Sequence, residues 1–177
     1  MAATSEVPVS AGTATHTTIR SSLGDLTVVA RGGAVTGLYF PHHWHMPDRA
    51  SFGEYREDGF NDVRRQLGEY LAGDRREFDV PVDVAGSPLQ ERVWRLIGRI
   101  PYAVTVSYGE LASELGGGVT AQEVGAAVGR NPVSIIIPCH RVVGAGGGLT
   151  GYAGGLRRKR ILLDLEQDAA GRSARLF

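Results

Sequence analysis

A chain of 177 residues, 42% hydrophobic and 21% charged, is long enough to bury one sizeable core or two small ones in contact. Its 19 basic and 19 acidic side chains cancel, so the chain as a whole is no electrostatic magnet for nucleic acid. No apolar run nears the roughly 20 residues that cross a bilayer, and the one cysteine excludes an internal disulfide and a zinc site built on several thiolates.

Residues 1–18 are small and polar, with no basic start and no apolar block. Residues 1–16 therefore read as a disordered tail rather than a signal peptide, and the cytoplasm is the default location. Residues 17–40 read as strands; the runs 26–30 and 35–40 flank Arg31-Gly32-Gly33-Ala34, which suits a hairpin. Residues 41–58 are loop-like. Their His42, His43 and His45, lacking a cysteine or patterned carboxylates, read as a surface loop rather than a metal site. Trp44 and Trp94 read as packing residues. Phe60, Val63, Leu67, Tyr70 and Leu71 share one helical face, and 78–84 is a short strand-like run with Pro81 at an edge or end. Residues 17–86 thus form a small α/β unit.

The second half is helical. Ser87, Pro88 and Gln90 make a capped helix start, the apolar stripe from Leu89 to Ile100 follows, and Pro101 stops it. Ser107 with Glu110, and Thr120 with Glu123, start two short helices across Gly116-Gly117-Gly118. Such a pair is either a DNA-binding helix-turn-helix or two helices packing a core. Asn131-Pro132 breaks the second helix, residues 135–137 read as a short buried strand, and Pro138 ends it before Cys139 and His140. A glycine-rich stretch, 144–155, holds Tyr152. A last helix spans about 156–166, and residues 169–177 read as a loose tail. Arg157 to Arg160 enclose Lys159, the sole lysine; the run reads as a solvated helix face or as a phosphate-contacting patch.

A thiol attacks as the thiolate, so Cys139 needs something to take its proton. His140 is adjacent. Side chains of neighbours point apart in a strand, but a turn after Pro138 brings them together. Glu166, four residues after Leu162, faces the core and would orient the imidazole. The alternative is a buried structural histidine and a helix-end glutamate.

The run Ile137-Pro138-Cys139-His140-Arg141-Val142 resembles the IPCHRV signature of the 6-O-alkylguanine-DNA alkyltransferase family. The resemblance continues without gaps through VW at 93–94, IPY at 100–102, SYGELA at 107–112, NP at 131–132, LTGYAGGL at 149–156 and LLDLE at 162–166. It implies an α/β fold: a small RNase-H-like domain at 17–86, then a mainly helical domain at 87–168 with a winged-helix-like helix-turn-helix. The family's roles imply that Cys139 accepts the alkyl group, His140 takes its proton through a water, and Glu166 orients His140. Asn131 would tie the helix-turn-helix to the active-site segment. Tyr108 would help rotate the nucleotide and protonate the departing guanine. The Val142 carbonyl would accept from the base's amino group, with Tyr152 and Ala153 lining the pocket. The second helix would enter the minor groove of duplex DNA, where Gly125, Ala126 and Ala127 permit close approach. A flipped nucleotide, an irreversible thioether, no metal or organic cofactor, no membrane partner and a monomer are further implications.

The chain departs from the family where an arginine usually opens the recognition helix. Gln122 stands there, followed by Glu123, which either places an anion near the DNA or caps its helix. Arg130 lies at the helix end and is no direct replacement. Leu89 replaces a common aromatic and Ala103 a common glycine, both read as packing changes. A non-repairing lesion sensor and a transferase acting on another alkylated substrate are the competing readings; Cys139 argues against the first, and only Gln122-Glu123 supports the second.

Overall fold

The computed structural model describes residues 12–174. The expected disordered tail lies largely outside them, but its residues 14–16 are ordered in a strand. Three β-rich runs form the antiparallel strands β1 (Ala14–Ile19), β2 (Leu26–Arg31) and β3 (Ala34–Tyr39). A short β4 (Glu54–Tyr55) pairs parallel to β1, giving the sheet order β3-β2-β1-β4. Alternation along the strands separates two apolar faces. Val28 and Leu38 enter the main core, while Val29 and Tyr39 meet Phe52 on the other side. Phe52 belongs to a 3₁₀ turn, Arg49–Phe52, so the expected loop at 41–58 carries two short regular elements.

Helix α1 (Asn61–Leu71) packs its Val63, Leu67 and Tyr70 face into that core. The strand-like run at 78–84 forms only one parallel bridge, Val35 to Val82. Pro81 donates no hydrogen bond but its carbonyl accepts from Val35 N at 2.8 Å.

Helix α2 (Pro88–Ile97) has the expected Ser87–Gln90 capping box, but it ends at Gly98, before Pro101 is reached. Strand β5 (Val106–Ser107) leads into α3 (Tyr108–Leu115), and α4 (Ala121–Gly129) follows. Both helices start on capping boxes, Ser107–Glu110 and Thr120–Glu123. Each such cap stabilises a helix start by about 1 kcal/mol. The turn between them uses left-handed backbone at three successive glycines, φ 65, 65 and 77°, which L side chains adopt only with strain.

Residues 135–137 do not form a strand. They are a turn, held by Ile136 N to Ser134 O at 2.9 Å and Ile137 N to Val133 O at 3.0 Å, with Ile135 at φ 72°. Strand pairing is taken instead by β6 (Val142–Val143), parallel to β5. Helix α5 (Leu156–Ala174) runs beyond the expected stop at 166, so the loose tail at 169–177 is helical as far as it is described. The reason is that Ala169, 5% exposed, continues the inward stripe of Leu162 and Glu166.

The two halves share one hydrophobic cluster that runs from Ile19 and Phe40 through Tyr70 to Trp94, Val124 and Leu162. Backbone joins them too: Leu38 N donates to Pro132 O at 2.8 Å and Ser134 N to Leu38 O at 3.2 Å. No helix among the described residues is long and apolar enough to cross a membrane.

Candidate active site

Cys139 opens a 3₁₀ turn, Cys139–Arg141, directly after Pro138. Proline fixes the entry, and Cys139 N donates to Ile137 O at 2.8 Å. The thiol is buried, 3% exposed. Asn131, just past the end of α4, reaches it from the helix-turn-helix: Nδ2 donates to Cys139 Sγ at 3.0 Å and to Ile137 O at 2.9 Å, and Oδ1 accepts from Val133 N at 3.0 Å. Burial raises the thiol pKa, while the Asn131 amide, the Lys159 charge and the Ser134 hydroxyl oppose it. The net direction is upward, so the resting thiol keeps its proton and requires a base.

His140 is fully buried, and its Nε2 lies 2.8 Å from Glu166 Oε1 on α5. Glu166 sits at a pKa near 2 because donors from His140, Arg141 and Tyr70 outweigh its burial. As a carboxylate it only accepts, so Nε2 carries the hydrogen and donates. Nδ1 of His140 is then the basic nitrogen; it is buried with no hydrogen-bond partner among the described residues. Burial lowers the His140 pKa, with Glu166 pulling the other way, so the imidazole is neutral and able to receive a proton.

Glu166 holds more than the histidine. Arg141 donates to it from Nη2 at 2.8 Å and Nε at 3.0 Å, and Ala103 N donates to Oε2 at 2.9 Å. Tyr70, from α1 of the N-terminal half, donates to Oε1 at 2.6 Å and lies 3.2 Å from His140 Nε2. Sequence reasoning found neither Tyr70 nor Arg141. Tyr70 looked like an apolar-face residue, and only its hydroxyl distinguishes it from the leucines beside it. The Ala103 contact also corrects the packing reading of that position. Its φ is 61°, so what glycine would supply there is backbone freedom.

A cleft of about 670 Å³ lies beside this network. Tyr108, the first residue of α3, lines it, and its hydroxyl donates to Thr150 O at 3.1 Å. Burial raises the Tyr108 pKa and nearby Cys139 adds to the rise, so the phenol is a proton donor at neutral pH. Tyr152, Ala153, Gln122, Gly125 and Ala126 share the cleft. Ala127 does not: it is 3% exposed, and its carbonyl accepts from Trp94 Nε1 at 2.9 Å. One helical step turns it into the core. Gly154 is required beside the cleft, since a Cβ there would collide with the Phe40 ring. Val142 is buried in β6, and exposed Arg130 caps the end of α4. Glu123 serves its helix, accepting from Thr120 N and Oγ1 at 2.8 Å each.

The basic run divides. Lys159 is buried and donates to Thr150 O at 2.9 Å, sharing that carbonyl with Tyr108. Arg158 donates to Leu23 O at 2.8 Å and Gly154 O at 2.9 Å, binding the two halves. Only Arg157 and Arg160 are exposed. His43 is buried against Phe40, whereas His42 and His45 are exposed. Among the described residues no three His, Cys, Asp or Glu are grouped to hold a metal. Trp94 packs as expected, but Trp44 does not; it is 63% exposed and lines the cleft.

Fold and site together define a class: a buried cysteine, supported by a histidine–carboxylate pair, beside a helix-turn-helix cleft. Two family descriptions match the chain, the 6-O-methylguanine DNA methyltransferase ribonuclease-like domain over residues 15–84 and the DNA binding domain of the same proteins over 88–168. A methylated-DNA–protein-cysteine methyltransferase of Mycobacterium bovis is 43% identical over 162 residues, 92% of this chain and 98% of that protein. The Mycobacterium leprae protein of the same name is 42% identical over 158 residues, 89% of this chain and 94% of that protein. The structure of Mycobacterium tuberculosis OGT in complex with DNA superposes with a TM-score of 0.83 at 42% identity, covering 88% of this chain and 94% of that one. The chain belongs to the 6-O-methylguanine DNA methyltransferase family and is a cysteine methyltransferase of that kind.

Proposed function

We propose that this protein repairs duplex DNA by direct reversal, taking the alkyl group of a flipped 6-O-alkylguanine, and of 4-O-methylthymine, onto Cys139. It acts once, as a cytoplasmic monomer that enters the minor groove with α4. The observation that carries the reading is the thiol of Cys139, held by Asn131 and paired with a His140–Glu166 base, beside a helix-turn-helix cleft wide enough for a base.

Each residue then has a task. An alkyl carbon within the stack is out of reach, so the nucleotide must leave the helix. Gly125 and exposed Ala126 let α4 approach the groove closely, with Gln122 and Arg130 at its two ends. Tyr152 and Ala153 wall the base, and the Val142 carbonyl accepts from its amino group. The Cys139 proton passes through a water to Nδ1 of His140 as the sulfur attacks. A sulfur–carbon bond forms, the carbon–oxygen bond to guanine breaks, and the electron pair leaves with the base, which Tyr108 protonates. Asn131 keeps sulfur and helix-turn-helix in register. A thioether has no hydrolytic partner in this site, so the protein stays alkylated.

Intact mass of the chain after incubation with methylated duplex tests the reading. A gain of one methyl group, lost in Cys139→Ala, is expected. DNA binding without any mass change would replace it with the lesion-sensor reading.

A further inference from the structure

We propose that Trp44 is a base-stacking platform, an aromatic plate that the N-terminal half holds against the cleft to receive a nucleobase unstacked at the lesion. The inference rests on the DNA reading above and adds a contact to it.

Trp44 is the most exposed large hydrophobic side chain among the described residues, at 63%. A single exposed tryptophan is unremarkable in itself. This one lines the same cleft as Tyr108, Gln122, Gly125 and Ala126, and so continues the helix-turn-helix face. On its other side it borders Gly129 and Arg130, at the end of α4.

The loop that carries it is built rather than loose. Trp44 N donates to Ala153 O at 2.9 Å, tying the loop to the pocket wall. His43, just before it, is buried; its ring stacks on Phe40 at 6.2 Å and meets the edge of Tyr39 at 5.3 Å. His42 and His45, on either side, have left-handed backbone at φ 59° and 60° without being glycine. Such strain persists where the surroundings enforce it. The loop thus turns its histidine inward and its indole outward.

The chemistry of the cleft says what the indole meets. Among the described residues no lysine, arginine or carboxylate lines it, and Gln122 stands where a cation would. Attraction inside the cleft therefore comes from stacking and hydrogen bonding, while phosphates are met at its edge. Every base has a π face, so an indole holds an unstacked base of any sequence.

The test is equilibrium binding of the full-length Cys139→Ala chain to a duplex with one 6-O-methylguanine, followed by tryptophan emission. The other tryptophan, Trp94, is 4% exposed, so the emission that solvent and ligand can change belongs to Trp44. Binding should quench it. Adding Trp44→Ala should remove the quench, weaken binding roughly 5- to 100-fold, and leave the slope of affinity against salt unchanged. Trp44→Phe should restore part of the affinity, and neither change at this exposed site should lower the melting temperature. Unaltered emission on binding, or undiminished affinity of Trp44→Ala, would overturn the platform and leave the DNA reading standing. Failure of the parent chain to bind the duplex, by a fluorescence-independent assay, would instead remove the DNA reading.

Discussion

Tyr70 and His43 show how a single side chain carries consequences across the molecule. The Tyr70 hydroxyl is one of several donors that saturate Glu166, whose other partners are His140, Arg141 and the Ala103 amide. Around His140 the titratable and charged groups are Glu166, Arg141, Lys159, Cys139 and Tyr70 itself. In Tyr70→Phe the Glu166 oxygen leans harder on His140 Nε2–H, which favours the imidazolium and raises the His140 pKa. In the proposed mechanism the transfer needs the neutral imidazole, so the acid limb of the rate–pH profile should move to higher pH, by a few tenths to one unit. A uniform fall in rate with no shift of that limb would mark Tyr70 as packing only. His43 acts on stability. Burial, with the charges of His45 and Arg158, lowers its pKa from 6.5 to about 4. Between those values the unfolded chain binds a proton that the folded chain refuses, so stability is intact above pH 6.5 and is lost as pH falls toward 4. The loss is about 3 kcal/mol. Urea midpoints measured across that window should fall with acid in the parent chain and fall less in His43→Asn.

At the scale of elements, capping boxes and glycines set the boundaries of α2, α3 and α4, and all three starts follow rules readable in the sequence. The segment between α2 and β5 is different. It must turn so that Ala103 N meets Glu166, and it does so with alanine at φ 61°. Left-handed backbone costs an alanine about 1–2 kcal/mol, partly offset because glycine loses more entropy on folding. Ala103→Gly should therefore stabilise the fold by about 0.5–1 kcal/mol, seen as a higher melting temperature with transfer activity retained. A lower melting temperature would mean that the methyl group contributes packing that outweighs the strain.

The whole molecule behaves as two halves with one core. The shared cluster, the Leu38–Pro132 and Ser134–Leu38 backbone bonds, the Arg158–Leu23 bond and the Tyr70–Glu166 bond all cross the division. Neither half keeps its buried polar groups satisfied without the other. Unfolding should accordingly be one transition, with near-ultraviolet and far-ultraviolet circular dichroism giving coincident urea midpoints. Two separated transitions would show that the interface is weaker than its bonds suggest. The same arrangement places a tyrosine of the N-terminal half against the histidine and the carboxylate of the C-terminal half.

The sequence by itself determined what depends on local order. Helix starts, glycine turns, the hairpin, the cysteine signature and the Glu166 spacing are short-range patterns, and each is found where its residues sit. Tertiary structure decided everything that depends on what a side chain meets from far along the chain. Residues 135–137 carry a strand's composition yet turn, because Val142 and Val143 take the pairing with β5. Tyr70 and Leu67 occupy one helical face, and only the arrival of α5 makes the Tyr70 hydroxyl a donor to a carboxylate 96 residues away. Trp44 and Trp94 are the same residue type; one is buried with its indole nitrogen bonded to Ala127, the other is held outward by a strained loop. Hydrophobicity says that a tryptophan gains by burial, but only the assembled neighbours decide whether a site for it exists.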